Sequence, residues 1–164
     1  MVGQINLRPF RRKHDGVLIY LRLDEWPTDV PLPAEPAVVE TGDGPFMPYW
    51  RLVFEPEQTV EVVVGWFKFS CSLDETVIWH QNEMERCGWV RDTTRGFKDE
   101  TSAGMNFQHP QTGVKVEMSF RWWRHLHHTT VMIRRVVKHP WPPADELGAG
   151  APELPLPHEA GISE

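Results

Sequence analysis

Between Ser72 and Trp89 the chain reads SLDETVIWHQNEMERCGW, a stretch with both ends of a helix written into it. A serine at the N-cap can accept a hydrogen bond from a free first-turn amide, and Glu75 three residues on completes a capping box. Gly88 supplies the left-handed residue on which helices commonly end. At 100° per residue Leu73, Val77, His80, Met84 and Cys87 fall within one arc, with Glu75, Asn82, Glu83 and Arg86 opposite, so one flank of a helix over about 72–87 must be hidden on something. Trp79 lies on the polar side, where another element covers it or a partner meets it. His80 reads as a core histidine with one hydrogen bond.

The segments around this helix carry strand signals. VLIYLRL at 17–23 alternates Val17, Ile19, Leu21 and Leu23. Tyr49–Phe54 puts Trp50, Leu52 and Phe54 on one face, and 60–69 is rich in β-branched and aromatic residues. EPEQT joins those two runs as a hairpin. After the helix a short strand begins at Trp89 and a polar loop containing Gly96 follows. Further strands are expected at Gly104–His109, Val114–Trp123 and Thr129–Lys138, the first two joined by the turn PQTG. In 114–122 the apolar residues alternate with Lys115, Glu117, Ser119 and Arg121, a strand with one wet face. The prolines at 27, 31, 33, 36, 45 and 48 exclude a long helix there and leave an ordered loop or short edge pairing.

Strands, one helix, then more strands predict an α+β fold, a mainly antiparallel sheet covered on one face by a single helix. Residues 1–140 form the domain. Residues 141–164, rich in Pro, Gly and Ala without periodicity, form a tail with no core of its own.

WHQNEMERCGW at 79–89 resembles a pattern found in small, mostly uncharacterised bacterial α+β domains, where an aromatic pair on a helix is followed four residues later by Leu or Met and then by Gly-Trp. Trp79 and His80 match the pair, Met84 the core site, Gly88 and Trp89 the exit. His80 stands where that pattern has Tyr or Phe. The resemblance implies a fold, and it carries no catalytic residue with it.

A chain of 164 residues suits one domain. It contains no apolar run long enough to cross a bilayer, and its start lacks the apolar core of a secretory signal, which makes the cytoplasm the expected location. Cys71 and Cys87 flank the helix, too far apart to join, and both are expected as small buried residues in a reducing compartment.

The sequence does not name a chemistry. G-x-S-x-G, the P-loop and H-E-x-x-H are missing, and no cofactor is expected. Among the histidines, His125 and His127 would share a face if 125–128 were a strand, with His109 or Glu117 as a third metal ligand. HLHH lies where the chain is expected to turn between two strands, and no acidic residue occurs from Arg121 through His139, so a solvated hairpin tip is the favoured reading. Charge is more informative. Arg121, Arg124, Arg134, Arg135 and Lys138 make a basic hairpin within a chain of net charge −6, and the tail holds Asp145, Glu146, Glu153, Glu159 and Glu164 with no Lys or Arg. Trp122 and Trp123 would add a stacking surface for an anionic ligand, an acidic protein or the chain's own tail. Overall acidity and the lack of a nucleic-acid motif argue against specific reading of DNA or RNA.

The leading expectation is a non-catalytic protein-interaction domain, a small subunit of a complex or a homo-oligomer, meeting its partner through Trp79, Trp122, Trp123, Arg121, Arg124, Arg134 and Arg135. The alternative is a metal-dependent or small-anion-binding enzyme built on His125, His127 and His109.

Overall fold

The structure is a computed structural model that describes residues 15–41 and 44–140. The expected tail at 141–164 lies outside the described residues. In chain order the strands before the helix are β1 (Asp15–Tyr20), β2 (Ala37–Val38), β3 (Glu40–Thr41), β4 (Gly44–Pro45), β5 (Tyr49–Phe54) and β6 (Gln58–Phe69). The helix α1 (Leu73–Arg86) follows, then β7 (Val90–Lys98), β8 (Ser102–Gln108), β9 (Lys115–Trp123) and β10 (His128–Pro140). The large sheet runs β1-β5-β6-β10-β9-β8-β7, and β2 pairs with the far end of β6. Every pairing in it is antiparallel, and α1 packs on one face, as an α+β reading of the sequence predicts.

Both ends of α1 form as their residues dictate. Ser72 Oγ accepts from the Glu75 amide at 3.2 Å, and Glu75 Oε2 accepts from the Ser72 amide at 3.1 Å. At the exit Gly88 has φ +90°, the Trp89 amide donates to the Met84 carbonyl at 3.1 Å, and the Gly88 amide donates to Glu85 at 3.0 Å. That is the Schellman arrangement, and its customary apolar contact is supplied by Trp89 and Met84, both buried. The buried side chains of α1 are Leu73, Thr76, Val77, His80 and Met84.

Cys87 is exposed, contrary to expectation, because it caps the helix where the backbone reverses and Trp89 takes the place over the core. Cys71 is exposed as well. It lies in the link from β6 to α1, anchored by its carbonyl, which accepts from Thr129 Oγ1 at 2.9 Å.

The proline-rich segment covers the rest of the helix-side face. Trp26 and Val30 are buried, Trp26 Nε1–H donates to the Val30 carbonyl at 3.0 Å, and the indole meets Phe67 edge-on with centroids 5.1 Å apart. Gly65 makes the recess for this pair, since a Cβ there would lie 2.6 Å from the Phe67 ring and 2.7 Å from Trp26. Two bonds tie the loop down. Trp89 Nε1–H donates to the Asp29 carbonyl at 2.7 Å, and Arg135 holds the Asp29 carboxylate through both Nε and Nη2.

One expectation fails along β7, which continues to Lys98 instead of giving way to a loop. The register with β8 moves from Arg91↔Phe107 to Gly96↔Met105, so β7 spends extra residues in a bulge, where Asp92 Oδ1 accepts from the Thr94 amide at 3.0 Å. The polar composition that reads as a loop is that of an irregular edge strand. Gly96 is required there, because with φ +132° a Cβ would sit 2.8 Å from the Gly104 carbonyl oxygen.

In urea unfolding, Met84→Ala should cost about 2–5 kcal/mol by opening a cavity under α1, and Ser72→Ala about 1 kcal/mol by removing the cap. The reverse ranking would mean that the helix is held by its ends and not by its buried flank.

Candidate interaction surface

Alternation along β9 and β10 sorts the expected strand residues onto one face or the other. On β9, Trp122 packs against the helix-side core, whereas Trp123 points to the far face, where its indole donates to Thr130 Oγ1 at 3.0 Å and the Arg121 guanidinium lies 4.1 Å from its ring. The two tryptophans therefore present no common stacking surface. Arg134 and Arg135 separate in the same way. Arg134 Nη1 meets Glu117 Oε2 at 2.9 Å on the far face, and Arg135 is committed to Asp29 beneath the proline-rich loop. Trp79 is half-buried, with its ring 6.1 Å from Phe69 and 4.8 Å from His80, so another element covers it.

The histidines do not assemble either. Residues 124–126 form a 3-10 turn and His127 adopts a left-handed φ of +50°, so His125 and His127 lie in a hairpin tip and not on a strand. His109 sits at the opposite end of β9, which is nine residues or about 26 Å long, with its ring edge-on to Trp89 at 5.3 Å. Glu117 is paired with Arg134. Among the described residues no three His, Cys, Asp or Glu side chains stand together as a metal site would need.

What does assemble is a sheet face. Register places Arg51, Lys68, Lys115, Arg121, Arg134 and Lys138 on the face away from α1, and Glu117 is the one carboxylate that β5, β6, β8, β9 and β10 place there. In a chain of net charge −6 these five strands thus gather six cations and one anion on a single face. The opposite layer is acidic: α1 exposes Asp74, Glu75 and Glu85, and the proline-rich loop exposes Asp24, Glu25 and Glu35. Arg51, Lys68 and Lys115 were invisible as site residues in the sequence. The alternation of 115–121 marks a wet face, but only the pairing of β9, β10, β6 and β5 shows that their cations are neighbours.

The far face is not uniformly polar. Val60, Val62 and Val64 form an apolar stripe on β6, flanked by Tyr49, Val53, Trp66, Met132 and Val136. A groove of about 390 Å³ runs along it, lined by Tyr49, Arg51, Val53, Val62, Val64, Trp66, Met132 and Arg134. Aromatic side chains rim it. Tyr49 and Phe46 lie 5.8 and 5.6 Å from Trp66, and Phe46 is 46% exposed. Long side chains standing over valines in this way cover apolar surface with their stems while keeping their charges in water.

Among the described residues, the clefts on the helix side include two that hold ion pairs. One of about 600 Å³ is bounded by Ser72, Leu73, Asp74, Lys98, Asp99, Glu100 and Trp122, and Lys98 is ion-paired to Asp74 within it. Asp99 is held in its charged form, below the usual carboxylate range, by the amides of Thr101 and Ser102, and so serves the β7–β8 turn. The other, about 400 Å³, lies under the proline-rich loop beside the Asp29–Arg135 pair.

His80 titrates well below an ordinary histidine. It is fully buried, its Nδ1 lies 2.8 Å from the Thr76 carbonyl, and Phe69, Trp79 and Phe120 surround its ring edge-on. Nδ1 must carry the proton to donate to a carbonyl, which leaves Nε2 as a bare acceptor with no partner. Burial lowers its pKa to about 4, against a smaller opposing effect of the Thr76 carbonyl. The ring does the packing work of an aromatic residue.

Comparison of the chain with protein-family models, with curated proteins and with solved structures finds no match in any of the three. The far face must therefore be read from its own chemistry.

Because His80 stays neutral in the fold down to about pH 4 while the unfolded chain takes up a proton near 6.5, the unfolded state binds more protons between those values. Stability is full above pH 6.5 and falls as the pH drops toward 4, by about 3 kcal/mol for this group at 1.36 kcal/mol per unit. His80→Phe should flatten that part of a stability-against-pH curve. An unchanged slope would show that other groups set it.

Proposed function

We propose that this chain is a non-catalytic protein-interaction domain, working as a small subunit of a larger complex, and that it receives a carboxylate-rich segment of its partner on the far face of the sheet. The observation that carries the reading is the sorting of charge: Arg51, Lys68, Lys115, Arg121, Arg134 and Lys138 lie on one face of an otherwise acidic molecule. A patch of one sign on a protein of the other sign steers complementary partners and orients them on arrival. The valine stripe and its aromatic rim supply apolar area between the cations, which a purely electrostatic patch lacks.

This surface replaces the basic hairpin as the unit of recognition. Of the residues expected from the sequence, Arg121, Trp123 and Arg134 belong to it. Trp79, Trp122 and Arg135 belong to the helix-side packing. Arg124 lies in the hairpin tip at one end.

A 20-residue polyglutamate peptide, followed by fluorescence anisotropy, should bind the protein and lose about tenfold or more in affinity when Lys68 and Lys138 are both changed to Glu, while stability stays within about 0.5 kcal/mol. Binding should also weaken steeply between 0.05 and 0.5 M salt. Equal affinity of the two proteins would remove the far face as the docking surface.

A further inference from the structure

We propose that the partner segment received on the far face is acidic at its two ends and apolar in its middle, lying extended along β6 with an acid, two apolar residues and an acid at successive alternate positions; this rests on the reading of the far face as an acceptor of carboxylate-rich segments. Antiparallel register stacks the far-face side chains in rows across the sheet. Arg121 and Lys68 both pair with Thr130 and form the row nearest the hairpin tip. Two residues along, Ser119 and Trp66 both pair with Met132, in a row without charge on these strands. In the third row Arg134 lies between Glu117 and Val64, and its 2.9 Å bond to Glu117 Oε2 balances its charge. Cations return in the fourth row, where Lys115 and Arg51 lie on either side of Val136 and Val62, and in the fifth, where Lys138 pairs with Val60. The face is therefore basic at both ends and neutral across its middle.

That distribution selects its occupant. A carboxylate over the middle band would lose water against Trp66, Met132 and Val64 and meet the like charge of Glu117. An apolar side chain there enters the groove of about 390 Å³ that the same three residues help to line. At the tip end the preference is reversed, and Arg121 is set for it in advance. Its guanidinium lies 4.1 Å from the Trp123 ring, and Thr130 Oγ1 holds that indole, so a flat group presents its N–H edge to an incoming carboxylate. Spacing agrees. From Thr130 to Val136, the levels of the first and fourth rows, is about 20 Å along β10, and an extended segment brings a side chain to the same side every second residue at the same rise. Acids at positions 1 and 7 of such a segment thus reach the two basic ends, positions 3 and 5 lie over the middle band, and an acid at position 9 meets Lys138. The face reads the order of residues in its partner as well as the partner's charge.

Two nine-residue peptides of one composition, three Glu, two Leu and four Ser, test the order by fluorescence anisotropy with the full chain. The ordered peptide has Glu at positions 1, 7 and 9 and Leu at 3 and 5. The permuted peptide has Glu at 3, 5 and 7 and Leu at 1 and 9, so it reads the same in either direction, and Ser fills the remaining positions of both. The ordered peptide should bind about tenfold more tightly. In Glu117→Gln, which releases Arg134 in the third row, the permuted peptide should gain affinity and the difference should shrink to about threefold or less. Equal affinity of the unaltered chain for the two peptides, or a difference that Glu117→Gln leaves untouched, would overturn the proposed order. Polyglutamate separates that failure from a deeper one. If it binds while the two peptides are not told apart, the acidic-partner reading stands and the order falls; if none of the three binds, the acidic-partner reading falls as well. Tighter binding of a 20-nucleotide oligo(dT) than of the ordered peptide would overturn both in favour of a nucleic-acid platform.

Discussion

Twelve consecutive residue pairs between β6 and β10, from Phe69↔Thr129 to Gln58↔Pro140, decide what every other side chain in the sheet can do. Side chains on a strand alternate with a period of two, so a slip of one residue would carry Val131 and Ile133 out of the core and put Met132 and Arg134 under the helix. The chain resists that slip from both sides. Phe67, Val131 and Ile133 are fully buried with α1 and the proline-rich loop above them, and a guanidinium in their place would be buried without a partner. Arg135, which does point that way, is tolerated because Asp29 meets it with a bidentate carboxylate.

Asp29 is therefore more than a loop residue. Its carboxylate fixes Arg135 on β10, and its carbonyl fixes the Trp89 indole at the exit of α1. The proline-rich loop, the helix and the longest strand pair meet at this one residue, across sequence separations of 60 and 106. The prolines of the loop contribute by limiting what the unfolded segment can sample, so less conformational freedom is lost when Trp26 settles beside Phe67. Helix and loop divide one face of the sheet between them, and among the described residues no helix lies on the other.

The helix was legible to the residue at its start, because a capping box and a Schellman exit are local events decided by four or five neighbours. Strand existence was legible for the same reason in 49–54, 60–69 and 114–123, although β6 starts two residues earlier, at Gln58. Composition misled where it stood in for position. The polar run after Trp89 is strand, since an edge strand with one bulge needs no apolar alternation, and Cys87 is exposed because the helical arc was extended one residue past the point where the backbone turns. The site was not legible. Counting charges along the chain finds Arg121, Arg124, Arg134, Arg135 and Lys138 as one block, yet Arg135 faces the other way, while Arg51 and Lys68, far off in sequence, stand on the same face as Arg134. Clusters made by antiparallel pairing are non-local, and no window of consecutive residues contains them.

The two sides of the sheet solve the same problem with different means. On the helix side apolar residues are covered by elements, and the imidazole of His80 buried there spends its one proton on a backbone carbonyl. On the far side the valines of β6 are covered by stems and rings, which can be displaced without breaking any backbone hydrogen bond. A surface of the first kind is closed once folded. A surface of the second kind is covered just well enough to stay in water, and Arg51 and Arg134 are among the residues that line its groove. An incoming extended segment that brings carboxylates at strand-like intervals displaces only side chains, and it places apolar area on valines that water now meets at their edges. Charge sorting and partial cover thus point to the same use of this face, although they arise from different residues: the first from Arg and Lys at alternate strand positions, the second from the run Val60, Val62 and Val64 between them.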